Sequence, residues 1–140
     1  MKYIVNEGNF DIPDGLTDKT VNMLMTPDGQ HVSYTMTRDK LQEGESLQDF
    51  INRQLKELSR QVSKFNELER LETPFANSPQ PGWDIKSFFK QNGREFHQRQ
   101  MVVLLRDERH VFIVTGTAFN AWSDSDLAAW QTMLKHSQLY

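Results

Sequence analysis

Histidine is the side chain most often used for acid–base chemistry and metal binding at neutral pH, so the four histidines are the first residues to weigh. His31, His97, His110 and His136 are scattered along the 140 residues. None stands at a metal-ligand spacing such as HExxH. His31 and His110 fall in or beside turns, where a solvated imidazole is the default, and His97 shares a strand face with Arg99 in ordinary polar alternation. The chain has no GxGxxG, P-loop or GxSxG pattern, so neither a phosphate cradle nor a nucleophile elbow is encoded. Asp124 and Asp126 are explained by helix capping and the helix dipole. Cysteine is absent, which removes thiol chemistry and disulfides and fits a reducing cytosol. The expectation is a protein with no enzymatic activity, no metal and no other cofactor.

The residues that remain bear on recognition. Gln54 lies between Ile51 and Leu58 on the apolar side of a helical repeat, where an amide must find a partner or reach water. Gln98 and Gln100 alternate with Phe96, Val102 and Leu104 along one strand. Amides in an apolar groove would suit an apolar guest that carries some polar groups. Alternatively, Gln54 stands at the edge of its stripe and is simply solvated. A second candidate is the stretch TVNMLMTP, in which Val21, Met23 and Met25 alternate with Asn22, Leu24 and Thr26. Methionine is flexible and polarizable and suits surfaces that accept varied apolar partners, but it also fills gaps in cores. The pattern leaves both readings of that row open.

The elements that must hold these residues follow from periodicity and turn chemistry. Tyr3-Ile4-Val5 reads as a strand, and Phe10 to Pro13 continues it or forms a second piece. Thr20–Met25 and Val32–Thr37 alternate around Pro27-Asp28-Gly29, a β-hairpin signature. Ser46 and Asp49 form a capping box ahead of a long amphipathic helix marked by Leu47, Phe50, Ile51, Leu55, Leu58 and Val62. Strands are predicted over about Asn66–Thr73, Trp83–Lys90, Glu95–Leu105 and His110–Phe119, with Asn92-Gly93 and Arg106–Arg109 as the turns of a meander. Ser123 and Asp126 cap a second helix whose stripe is Leu127, Trp130 and Leu134. The order predicts a single α+β domain over residues 1–140, an antiparallel curved sheet with two helices packed on one face.

Several strands carry apolar residues on both sides, notably Val21 to Met25, Trp83 to Phe89 and Met101 to Leu105. Two helices on one face would leave the other without an obvious cover, and a large exposed apolar surface marks a binding site or an oligomer interface. Loops or a curled sheet edge could bury it instead. The net charge of -3, from 16 basic and 19 acidic residues intermixed, offers no basic stripe for nucleic acid. The longest apolar run, MVVLL, is far short of the about 20 residues of a membrane-spanning helix. The first residues lack the apolar core of a signal peptide, so a soluble, cytoplasmic protein is expected.

The succession FDIPDGLTDKTVNMLMTP, then INRQL, then HQRQMVVLL resembles the Eag chaperones, the effector-associated proteins of bacterial type VI secretion systems, and among them the Rhs-effector (SciW-like) branch. The resemblance runs from Tyr3 to the last helix, and the order and spacing of the motifs carry it. It implies a DcrB-like fold related to the Mog-like architecture. It also implies a non-enzymatic homodimer that binds N-terminal transmembrane segments of an effector, shields them from water without itself inserting into a membrane, and helps load the effector onto the spike. The family's hydrophobic binding pair corresponds to Val21 and Met23, where other members carry isoleucine, and its two guest-contacting glutamines correspond to Gln54 and Gln100. Met25 joins them only by alternation, and Leu24, pointing the other way, is expected in the helix-covered core. The rivals are a different binding module on the same fold and an enzyme or lipid-binding protein using the apolar cleft.

Overall fold

In the computed structural model, which describes all 140 residues, two sheets and two helices form. Strands β1 (Lys2–Val5) and β2 (Gly8–Asp11) make a small hairpin of their own. The main sheet contains β3 (Asn22–Leu24), β4 (Ser33–Lys40), β5 (Ser63–Thr73), β6 (Gly82–Gln91), β7 (Arg94–Leu104) and β8 (His110–Ala118). Its order is β3-β4-β8-β7-β6-β5 and every neighbouring pair is antiparallel. Helices α1 (Leu47–Gln61) and α2 (Asp124–His136) complete the chain. The α+β class with an open, curved antiparallel sheet is as the sequence predicts.

Local chemistry sets the element ends. The Asp49 N–H donates to Ser46 Oγ at 3.1 Å and the Ser46 N–H donates to Asp49 Oδ2 at 3.2 Å. Ser123 and Asp126 repeat the arrangement at 3.1 and 2.9 Å. Both predicted capping boxes are therefore formed, and a cap of this kind is worth about 1 kcal/mol. Asn92 and Gly93 both have positive φ, 53° and 75°, as a two-residue β6–β7 hairpin of the mirror-image type requires. In the β7–β8 turn the Asp107 carboxylate accepts the N–H groups of Arg109 and His110, each at 2.9 Å. These bonds to the ionised form hold Asp107 well below the usual carboxylate range. Two boundaries differ from expectation. Strand β5 starts at Ser63, soon after α1, where Ser63 pairs with Lys90; Lys64 has a positive φ at the first of two register shifts that break the strand's alternation. Strand β3 is only three residues long.

The helices do not share a face. Opposed residues of an antiparallel ladder point to the same side, and successive residues to opposite sides. On β7, Val102 packs with Phe50, Ile51 and Leu55 of α1, together with Ile85 and Val111. The neighbouring Met101 and Val103 pack with Trp130 and Leu134 of α2, together with Phe75 and Val114. The sheet is sandwiched, one helix per face, and the expectation of two helices on one face is corrected. The reason lies in MVVLL: a central strand buried on both sides needs a layer on each. The same packing supplies most of the missing cover that the pattern suggested. Gly116 shows why glycine stands inside β8: a Cβ there would come within 2.6 Å of the Trp122 ring, the close approach that an isolated strand glycine signals.

Candidate functional site

Helix α1 packs over Phe65 of β5, Ile85 of β6, Val102 of β7 and Val111 of β8, and touches β4 through Gln54 and Asp39 near that strand's end. The uncovered strip is defined by register. β3 pairs Met23 with Thr35, β4 pairs Thr35 with Thr115, and β8 pairs Thr115 with Gln100. These four residues form one cross-strand row on the α1 face. The adjoining row is Ser33, Thr117 and Gln98. Gln100 Nε2 donates to Thr115 Oγ1 at 3.3 Å, and Gln98 Nε2 donates to Thr117 Oγ1 at 3.1 Å. Each amide is thus tied to a neighbouring floor hydroxyl through its nitrogen, with its carbonyl oxygen outside those bonds.

The wall is α1. Gln54, Leu58 and Gln61 overlook this floor, and the cleft between them has a volume of about 400 Å³. Gln54 Nε2 donates to Asp39 Oδ2 at 3.4 Å, a long bond that leaves the amide half-buried at the edge of the apolar stripe. A smaller void of about 40 Å³ continues beneath α1, between Phe50, Ile51, Ile85 and Val102, and again has Gln54 and Gln100 in its lining. The two glutamines singled out from sequence therefore line the same two spaces.

The row around β3 is exposed. Val21, Met23 and Met25 are 51%, 64% and 60% accessible, so none of them is core. Only Met23 lies within β3 and has its face set by register; Val21 precedes the strand and Met25 follows it, with its methyl group beside Gly29. Leu24 is 57% accessible, and its expected place in the helix-covered core is corrected. The α2 core reaches Tyr34 and Met36 on β4 but not the edge strand beyond. Sequence reasoning also missed Thr35, Thr37, Thr115 and Thr117, which make the floor hydroxyl- and amide-lined rather than apolar. Their period-two spacing, Ser33-Thr35-Thr37 and Thr115-Thr117, was the available signal.

His97 and Arg99 project to the opposite face, under α2. There Asp84 is buried, and its Oδ2 accepts the Trp130 indole N–H at 3.2 Å and a weak bond from Arg99 at 3.5 Å. Its Oδ1 has no partner. Burial pushes the Asp84 carboxyl above its ordinary value, against the Trp130 bond and the Arg99 charge.

Fold and cleft together define a small α+β domain with an open sheet, one helix on each face and a polar cleft, lined by amides, hydroxyls and Glu57, that ends at an apolar edge. The chain belongs to the DcrB family, whose model matches residues 7–136. No curated protein matches it. Among solved structures it is similar to PA94 of Pseudomonas aeruginosa, a protein of unknown function described as a regulator candidate, at a TM-score of 0.71 and 22% identity. The likeness covers 100% of this chain and 96% of that one, and at this identity it speaks for the fold. No helix is long and apolar enough to cross a membrane.

Proposed function

We propose that the protein is a non-enzymatic effector chaperone of a type VI secretion system, of the Eag type and its Rhs-effector branch. It acts in the cytoplasm as a homodimer, binds the N-terminal transmembrane helices of its effector and shields them until the effector is loaded on the spike. One observation carries this reading: the exposed Met23 and the floor amide Gln100 occupy the same cross-strand row, with Gln54 facing that floor from α1.

The dimensions suit one helix. Three strand spacings separate Met23 from Gln100, about 14 Å at the usual interstrand distance, and an α-helix with side chains is about 10–12 Å across. Val21, Met23 and Met25 supply apolar contact, and burial of such surface gains about 25 cal/mol per Å². Hydroxyls and amides on the floor match the small polar groups through which helices pack inside membranes. The second copy of the homodimer covers the side of the guest that one cleft leaves in water.

Co-expression with an effector bearing N-terminal apolar helices tests the reading. Soluble effector yield should rise, and deleting those helices should abolish the association. A yield that does not respond to the chaperone defeats the proposal. Lipid retained by the purified protein in native mass spectrometry would favour a lipid-binding module instead.

A further inference from the structure

The face under α2 holds a second cavity, of about 340 Å³, between β6, β7 and the start of α2. Small-ligand pockets begin at about this size. Register sets Lys86 directly opposite Arg99 and Phe88 opposite His97 on this face, and all four line the cavity. Like charges directly opposite one another weaken a ladder. The chain offsets them incompletely. Arg99 lies 3.5 Å from Asp84 and 3.9 Å from Glu69, both long against the about 2.7–2.9 Å of a good guanidinium–carboxylate pair. Only one of its donors makes a hydrogen bond, at 3.5 Å, although its side chain is 13% exposed. Lys86 makes no ion pair.

The rest of the lining is mixed, with Asn66, Ser87, Gln98 and Ser123 beside apolar side chains. Phe88, Trp122 and Leu127 form the walls, and the Trp122 indole N–H is already committed to the His97 carbonyl at 3.0 Å, so that ring serves as a surface. Its face also lies 6.0 Å from the Arg99 guanidinium. Lys86 and Arg99 stand at one end of the cavity and Phe88, Trp122 and Leu127 along it, with Asp124 at the α2 rim, Asp84 beside Arg99 and Glu69 opposite Lys86 as the opposing charges.

We infer that this cavity is a binding site for a small organic carboxylate with an apolar body, its carboxylate between Lys86 and Arg99 and its body against Phe88 and Trp122. The site lies on the opposite face from the α1-face cleft, with Gln98 alone in both linings, so it stands or falls apart from the chaperone reading. Phenylacetate is a suitable probe for the full chain, titrated by calorimetry and by tryptophan fluorescence beside its neutral analogue phenylacetamide and inorganic phosphate. Saturable phenylacetate binding is expected, weaker by about tenfold or more for phenylacetamide and again for phenylacetate on the Lys86→Glu variant, because a charge-assisted pair is lost in each case. Lys86 is exposed, so the variant should melt as the parent does; Lys86→Gln, with a smaller loss of affinity, provides the check if it does not. The inference is overturned if phenylacetate fails to saturate, if phenylacetamide or phosphate binds as well, or if neither Lys86 variant weakens binding.

Discussion

Met23 on the edge strand and Gln100 on a central strand stand in one row across the sheet, with Thr35 and Thr115 between them. The four side chains come from two pairs of consecutive strands, β3–β4 and β7–β8, that lie far apart in the chain. Together they join an apolar edge to an amide-and-hydroxyl floor on a single surface. A guest spanning the row would meet both chemistries at once, and the first two predictions separate them.

Val21→Glu and Met23→Asp should fold normally. Both residues are more than half exposed, and substitutions at such positions usually change stability by less than about 0.5 kcal/mol. Effector co-purification should be lost, because a charge would be forced against an apolar helix. Thermal melting with pull-down decides it: a variant that unfolds would return this row to the core.

A double substitution, Gln54→Ala with Gln100→Ala, should weaken effector binding by about fivefold to tenfold, the loss of one or two ordinary hydrogen bonds of about 0.5–1.5 kcal/mol each. Gln100→Ala also frees the Thr115 hydroxyl it now bonds, but that group borders the open cleft and can turn to water. Unchanged affinity in a direct binding assay would leave the glutamines as scaffold only.

Gly116→Ala should destabilise the protein by about 1–3 kcal/mol, the usual cost of overpacking. Its new methyl would meet the Trp122 ring at 2.6 Å. Chemical denaturation would measure the loss, and a fully native midpoint would mean that Trp122 gives way freely.

Two carboxylates give pH effects of opposite sign. The hydrogen bond from Arg53 holds Glu45 at a pKa of about 2. Its folded pKa is depressed, so its stabilisation is complete above the unfolded value of about 4.3 and is lost as pH falls toward about 2. Glu45→Gln should therefore be less stable than the parent at pH 6, with the gap closing in acid. Asp84 behaves inversely. Its folded pKa is raised by burial, so protonation favours the native state, and its contribution declines as pH rises from the ordinary carboxylate range through the folded pKa. Asp84→Asn keeps an acceptor for the Trp130 indole and should remove that decline. Denaturation curves of both variants across pH 2–7 test the signs; parallel curves for parent and variant at either site would refute that assignment.

Much of the architecture was written locally. Ser46 with Asp49, and Ser123 with Asp126, announced both helix starts because capping is chemistry between residues three apart. Asn92-Gly93 announced the β6–β7 hairpin because few other residue pairs tolerate two positive φ angles. A glycine inside a strand, such as Gly116, signals a bulge or a close approach, and only the fold showed the latter, with Trp122 as the neighbour. Gln54 and Gln100 could be named in advance, and so could the exposed methionine row, once the family resemblance was joined to the alternation.

What the chain by itself determined was therefore the class of fold, the element order, the caps and turns, and which residues were out of place for an ordinary core. Only the tertiary structure decided which side of the sheet each helix covers. In MVVLL the period of two separates Val102 from Met101 and Val103, but a strand apolar on both sides carries no mark of which layer meets which side. The tertiary structure alone also placed Leu24 in solvent, since that depends on how far α2 reaches across the sheet. It likewise assembled the floor of the cleft, because Thr35 meets Thr115 only through the register of β4 on β8, a long-range pairing that no local pattern encodes.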